Sequence, residues 1–128
     1  MSREGGGRPG KLAGRVAVVT GGGSGLGRAG VLRFAAESAK AATGALQPGR
    51  GAEPAAQIAA DGGDAFYLGG APRAAEAEAL VTAAGERWGR VDILYASAGV
   101  MTVGTAPDTS EEDYQLAVEV NLGSWYGL

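Results

Sequence analysis

The run Arg15-Val16-Ala17-Val18-Val19-Thr20 ends against Thr20-Gly21-Gly22-Gly23-Ser24-Gly25-Leu26-Gly27. A short β-branched run bounded by glycines reads as a buried parallel strand. From Arg28 to Lys40 the apolar residues Ala29, Leu32, Ala36 and Ala39 recur at helical spacing, which predicts a helix with that stripe turned to a sheet. A strand that feeds a helix through a tight glycine turn is the opening unit of an α/β fold. No other feature of the chain narrows the architecture as far.

The remaining segments repeat the alternation. Ala41 to Leu46 is a poor strand, with one β-branched residue and a glycine, and Gln47-Pro48-Gly49-Arg50-Gly51 reads as a turn or loop. Pro54 suits the start of a helix that continues through Ala60 and stops at Asp61-Gly62-Gly63. Ala65 to Leu68 is a strand, Gly69 to Pro72 a turn, Ala74 to Trp88 a helix ended by Gly89, and Val91 to Ala96 a strand. Thr109 with Glu112 three residues later forms a capping box. Glu111 and Asp113 suit the positive end of the helix that follows, running through Leu116, Val120 and Asn121. Strands alternating with helices predict a parallel sheet with right-handed crossovers and helices on both faces.

Composition sets limits on this fold. The length of 128 residues allows one domain. Alanine and glycine together supply 50 of those residues, so the apolar share of 45% overstates the area available for burial and the core is expected to be thin. With no Cys and no His there is no disulfide framework, thiol nucleophile, imidazole base or thiolate or imidazole metal site. No apolar stretch approaches the roughly 20 residues that span a bilayer. Residues 1–10 read as a flexible tail, without a signal-peptide core and without aromatic residues among its arginines. The expectation is a cytoplasmic protein with no nucleic-acid or membrane partner, and residues 11–128 as its domain.

The glycine cluster carries the chemistry. Glycines at a strand-to-helix turn let backbone approach a pyrophosphate, and the helix N-terminus offers it unpaired N–H groups. Gly25 to Gly30 formally matches G-x-G-x-x-G, but the turn must begin where the strand ends. The reading in phase is G-x-x-x-G-x-G over Gly21, Gly25 and Gly27. No Lys-Ser or Lys-Thr pair follows, which excludes a Walker A loop.

Three segments together resemble the short-chain dehydrogenase/reductase family: Thr20 to Gly27, Gly89-Arg90-Val91-Asp92-Ile93-Leu94-Tyr95-Ala96-Ser97-Ala98-Gly99, and Val120-Asn121-Leu122. They occur in the family's order and near its spacing, over residues 11–128. The resemblance implies a Rossmann-type doubly wound parallel sheet, cut after about four strands. It also implies an NAD or NADP cofactor and hydride transfer between an alcohol and a carbonyl. It assigns cofactor binding to Gly21, Gly23, Ser24, Gly25, Leu26, Gly27, Ala98 and Gly99, and matches Asn121 to the family's catalytic Asn.

The chain also departs from the family. The acid that binds the adenosine ribose in NAD-type members falls at Ala45, and the Asp after the third strand falls at Ala71. The family's Asn-Asn-Ala-Gly is here Ala96-Ser97-Ala98-Gly99. The basic residue NADP-type members place in the glycine loop is Ser24, while Arg50 is a candidate for a 2′-phosphate. No tyrosine is followed by Lys four positions on, and the family's catalytic Ser, Tyr and Lys lie beyond Leu128. The expectation is therefore no turnover by this chain alone. A non-catalytic dinucleotide-binding module or an interaction scaffold is the alternative. An open edge on the fourth strand, with an apolar patch near Tyr95 and Trp125, predicts self-association. Asp92 is expected to cap or pair near that strand, and Asn121 to serve as well in a local hydrogen bond as in a proton relay.

Overall fold

The computed structural model describes residues 8–45, 48–69, 74–123 and 126. Strands β1 (Val16–Thr20), β2 (Lys40–Ala45), β3 (Ala65–Gly69) and β4 (Ile93–Ala96) alternate with helices α1 (Gly25–Ala36), α2 (Pro48–Ala60) and α3 (Ala74–Trp88). A 3-10 turn at Ala106–Asp108 leads to α4 (Glu111–Val118), which runs on as a π-helical turn over Glu119–Gly123. The strands form one sheet in the order β3-β2-β1-β4, and every pair is parallel. This is the expected Rossmann-type α/β arrangement. α3 packs on one face, where Leu80 and Ala84 meet Val16, Val18 and Ala42. α1 and α2 pack on the other, where Val31 and Ile58 meet Val19 and Ala41.

β2 is a weak strand by composition and a central one in space. Both its edges are paired, and Ala41, Ala42 and Thr43 are fully buried. Ladder bonds on two sides and cover on two faces override a poor intrinsic preference. The Thr43 hydroxyl is buried with no hydrogen-bond partner among the described residues.

Several boundaries differ from the sequence expectation. α1 ends at Ala36 rather than running to Lys40, because Ser38 adopts φ 75° and closes a Schellman turn. In that turn the Ser38 N–H donates to the Ala35 carbonyl and the Ala39 N–H to that of Phe34. α1 buries Gly27 and Val31, and Ala29 of the expected stripe is exposed. α2 begins at Pro48, so residues 48–51 are helix rather than loop and Pro54 lies inside it. Gly51, Pro54, Ala55 and Ile58 form its buried stripe at helical spacing. The cap of α4 is Ser110, whose Oγ accepts from the Asp113 N–H at 3.1 Å, while Thr109 donates to the Thr105 carbonyl.

Gly10 is packed against Glu37 and donates to Ser38 Oγ at 3.1 Å; residues 1–7 of the expected tail lie outside the described residues. Ala71 and Trp125 also lie outside them. Tyr95 is half-buried, edge-on to Phe34 at 6.1 Å and against Gly30, rather than part of an open patch. β4 pairs only with β1 among the described residues, and Leu94 on it is 49% exposed. Among the described residues no helix is long and apolar enough to cross a membrane.

Asp92 ties the start of β4 to β1. It accepts from the Val16 N–H at 2.8 Å and from a two-pronged Arg90, with Arg15 at 3.6 Å. The Arg90 hydrogen bonds, then that of Val16, hold its carboxyl below the usual range. Burial pushes the Asp64 carboxyl up, but hydrogen bonds from Trp88 and Arg87 outweigh it and leave it lowered. A carboxylate with a depressed folded pKa adds stability above its unfolded pKa of about 3.9, and that stability is lost as pH falls through the folded value. Urea midpoints are therefore expected to fall as pH drops below about 4. Asp92→Asn should lower the midpoint at neutral pH and flatten that acid slope. An unchanged slope would show that Asp92 is not among the groups responsible.

Candidate functional site

The carboxyl ends of β1 and β4 bracket the glycine loop, at the point where the sheet order turns from β2 on one side of β1 to β4 on the other. Such a switch point opens a crevice above the strands. β1 delivers Thr20, which is almost fully buried. Its carbonyl accepts from the Ser97 N–H and its Oγ1 from the Ala98 N–H, both at 3.3 Å. The loop and the chain leaving β4 are thereby tied together.

Gly21 turns the chain with φ 69°, and a Cβ there would stand 2.7 Å from Ala98 Cα. A Cβ on Gly27 would overlap the Gly21 carbonyl oxygen and press on Ser97 Oγ at 3.2 Å. Gly21, Gly27, Ser97 and Ala98 are thus one tightly packed knot with no room for side chains. Gly22 lies directly over the Thr43 hydroxyl and donates to the Gly44 carbonyl at 3.1 Å.

Gly25 differs from these. Its φ is 54°, and nothing lies within 4 Å of a Cβ built on it. Ser24, Gly25 and Leu26 are exposed, Leu26 at 77%. The first helical bond of α1 runs from the Arg28 N–H to the Ser24 carbonyl. The N–H groups of Gly25, Leu26 and Gly27 therefore have no partner within the helix. Ser24 is the N-cap without a side-chain cap bond, and no acid stands in the first turn. An open, uncapped helix start with a positive dipole end fits the phosphates of a dinucleotide.

Gly23 faces the other way. A Cβ on it would lie 3.1 Å from Ala45 Cβ and 3.4 Å from the backbone of Arg50 and Gly51. Ala45, at the end of β2, is buried. Its carbonyl accepts from the Tyr67 hydroxyl at 3.3 Å. One turn into α1, Arg28 grips Glu53 with two hydrogen bonds, at 3.0 and 2.9 Å. That pairing raises the Arg28 pKa and lowers that of Glu53.

Asn121 sits in the π-helical turn after α4, beside buried Val120. Its Oδ1 accepts from the Val100 N–H at 2.8 Å and its Nδ2 donates to the Val100 carbonyl at 2.9 Å. Both ends of the amide are spent on the loop after β4, next to exposed Gly99. Every expected site residue therefore lies at the carboxyl end of β1 and β4 or on the turn pinned to it. Thr20 and Gly22 carry no assigned role in the sequence reading. A threonine closing a strand before glycines was the available signal for Thr20, and none marked Gly22. Among the described residues the shifted ionisable groups are Arg28, Glu53, Asp64, Arg90 and Asp92, and each shift follows from local hydrogen bonds and ion pairs, those of Trp88 and Arg87 for Asp64 and those of Arg90 and the Val16 N–H for Asp92.

A protein-family model described as short chain dehydrogenase matches residues 15–128. An uncharacterized oxidoreductase of Thermotoga maritima is 37% identical over 109 residues, which are 85% of this chain and 43% of that protein. A 2,5-dichloro-2,5-cyclohexadiene-1,4-diol dehydrogenase of Sphingobium indicum is 38% identical over 112 residues, 87% of this chain and 45% of its own length. Among solved structures, a short chain dehydrogenase of Burkholderia cenocepacia in complex with NADP superposes with a TM-score of 0.86 at 28% identity. It covers 91% of this chain and 49% of that one. A blue fluorescent protein from a metagenomic library, in complex with NADPH, gives 0.84 at 28% identity. The chain spans about half the length of the curated relatives it matches.

Proposed function

This chain belongs to the short-chain dehydrogenase family, and from that premise we propose that it is the dinucleotide-binding part of an NAD(P)-dependent oxidoreductase. The observation that carries the reading is the open helix start at Gly25, set beside a knot of glycines that holds the loop in place. The N–H groups of Gly25, Leu26 and Gly27 would bind the pyrophosphate, and Ala98 and Gly99 would let backbone pass beside the cofactor. Asn121 would hold the Val100 loop at the far side of the crevice. A nicotinamide dinucleotide supplies the hydride acceptor or donor when bound.

None of the described residues in the crevice is a placed acid or base for the accompanying proton. No tyrosine in the 128 residues is followed by Lys four positions on. The chain by itself is therefore expected to bind dinucleotide and to show no alcohol oxidation above background. Titration with NADPH and NADH, followed by nicotinamide fluorescence, tests the binding. Absence of binding of either at millimolar ligand would reject it. Sustained turnover by the isolated chain would reject the second half.

A further inference from the structure

We propose that the face formed by α4, the π-helical turn after it and the chain leaving β4 docks a second polypeptide whose contact surface is apolar and basic. Six of the nine exposed large apolar side chains among the described residues fall between Leu94 and Leu122. Met101, Val103 and Tyr114 are 86%, 92% and 63% exposed. Exposed apolar side chains gathered in one region mark an interaction surface. α4 buries none of its residues. In the turn that follows, Val120 is buried and Asn121 bonds Val100 through both ends of its amide. Those bonds set the turn beside the loop that carries Met101 and Val103. Tyr114, Val118 and Leu122 recur every four positions and so share one side of the helix. A helix of 8 residues is too short to hold itself in water, and its stability comes from packing an apolar face. The described residues leave that side of α4 uncovered.

The charge around this face identifies what covers it. All 11 Lys and Arg residues of the chain lie at or before Arg90. Residues 91–128 hold six acids and no base. Asp92 is neutralised by Arg90 and Arg15. The other five, Asp108, Glu111, Glu112, Asp113 and Glu119, stand on α4 and its two flanks. A hollow of about 340 Å³ beside the helix is lined by Glu112, Asp113, Gln115, Leu116 and Glu119. A Lys or Arg side chain suits such a hollow, with its methylene stem along Leu116 and its charged head against the carboxylates. A second copy of this chain docked through the same face would bring the same acids to the contact, and like charges set against each other oppose docking. The occupant that fits is a different polypeptide, a basic amphipathic helix. Its apolar stripe would meet Tyr114, Val118 and Leu122, and its Lys or Arg residues the surrounding acids.

The test titrates the full chain by calorimetry with two synthetic amphipathic helices, one of leucine and lysine and one with glutamate in place of every lysine. The leucine-lysine peptide should bind at least about tenfold more tightly than the leucine-glutamate peptide, and less tightly as salt rises. Val118→Ser should weaken its binding about tenfold, the span of one buried apolar side chain. Glu111→Lys combined with Glu112→Lys should reverse the preference between the two peptides. The same charge change on α3, Glu76→Lys with Glu78→Lys, should leave the preference in place, which separates a local contact from net charge. All five residues are exposed, and thermal melts should stay close to that of wild type. Equal binding of the two peptides, binding of neither, or an equal response to the α3 pair overturns the proposal. Sedimentation of the chain alone should show a monomer. A dimer that Val118→Ser dissociates would assign the face to a second copy and overturn the proposal as well.

Discussion

Gly27→Ala is expected to destroy the glycine loop and dinucleotide binding together, whereas Gly25→Ala should remove most of the binding and keep the fold. The two glycines lie two residues apart on the same helix start, and their surroundings are opposite. A methyl group on Gly27 would occupy the position of the Gly21 carbonyl oxygen, a backbone atom that cannot rotate away. Relief requires Gly21 to move, and Gly21 itself has Ala98 backbone at 2.7 Å from its own missing Cβ. The displacement therefore spreads to the chain leaving β4. Overpacking of this kind costs about 1–3 kcal/mol and more where backbone must shift. A melting temperature lower by on the order of 10 °C should result. At Gly25 nothing lies within 4 Å, and the cost is that of placing alanine at φ 54°, about 1–2 kcal/mol. The methyl group would instead stand in the open approach to the helix N–H groups, where a phosphate must come close. Melts and NADPH titrations on both variants separate the two effects. A Gly27→Ala protein that melts like wild type would show that the knot is loose, and a Gly25→Ala protein that binds NADPH normally would remove the loop from the site.

The same glycines explain how far the sequence could be read. The loop was legible because its glycines stand where a strand must turn into a helix, and the stops at Gly62 and Gly89 because both adopt positive φ. The core-facing side of α1 was not legible. Its contacts run through Val31, which lies outside the expected stripe, and through Gly27 and Gly30, the latter against the Tyr95 ring, and glycine leaves no trace in an apolar stripe. The visible stripe over Ala29, Leu32, Ala36 and Ala39 therefore points partly away from the core, with Ala29 exposed. The end of α1 was hidden because Ser38 takes the left-handed role that glycine usually marks. The start of α2 was hidden because Pro and Gly cluster there as they do in turns, although Pro48 opens the helix and Gly51 is buried where a side chain would strike Tyr67. The turn glycines were placed at the end of β1 by pattern, and the other expected positions came from the family resemblance. The partners of Asn121 and the pairing of Arg28 with Glu53 join residues 21 and 25 positions apart, and no local pattern encodes them.

Leu80→Ala is expected to cost about 2–5 kcal/mol, the range for truncating a buried leucine. In this chain that is a large part of the total, since domains are stable by only about 5–15 kcal/mol. The thin core is the reason. On the α3 face the buried residues are Val16, Val18, Ala42, Leu80 and Ala84, so Leu80 is the largest side chain in the cluster. Phe66, Val81, Trp88 and Val91 border it but are only partly buried, and they are held at the rim in part by the Asp64 bonds to Arg87 and Trp88. With Leu80 gone, the buried residues that α3 turns to Val16, Val18 and Ala42 on the sheet would be alanines alone, too little apolar area to keep α3 in place. Urea unfolding should show a much lower midpoint, while Glu78→Ala, exposed on the same helix, should stay within about 0.5 kcal/mol of wild type. The void also predicts its own partial repair. A Cβ on Gly44 would lie 3.2 Å from Leu80 Cδ2, tight in wild type, and would enter vacated space in Leu80→Ala. Gly44→Ala should therefore be close to neutral or slightly destabilising alone and stabilising in the Leu80→Ala background. Additive effects in that double-mutant cycle would mean that α3 collapses onto the sheet and leaves no void to fill.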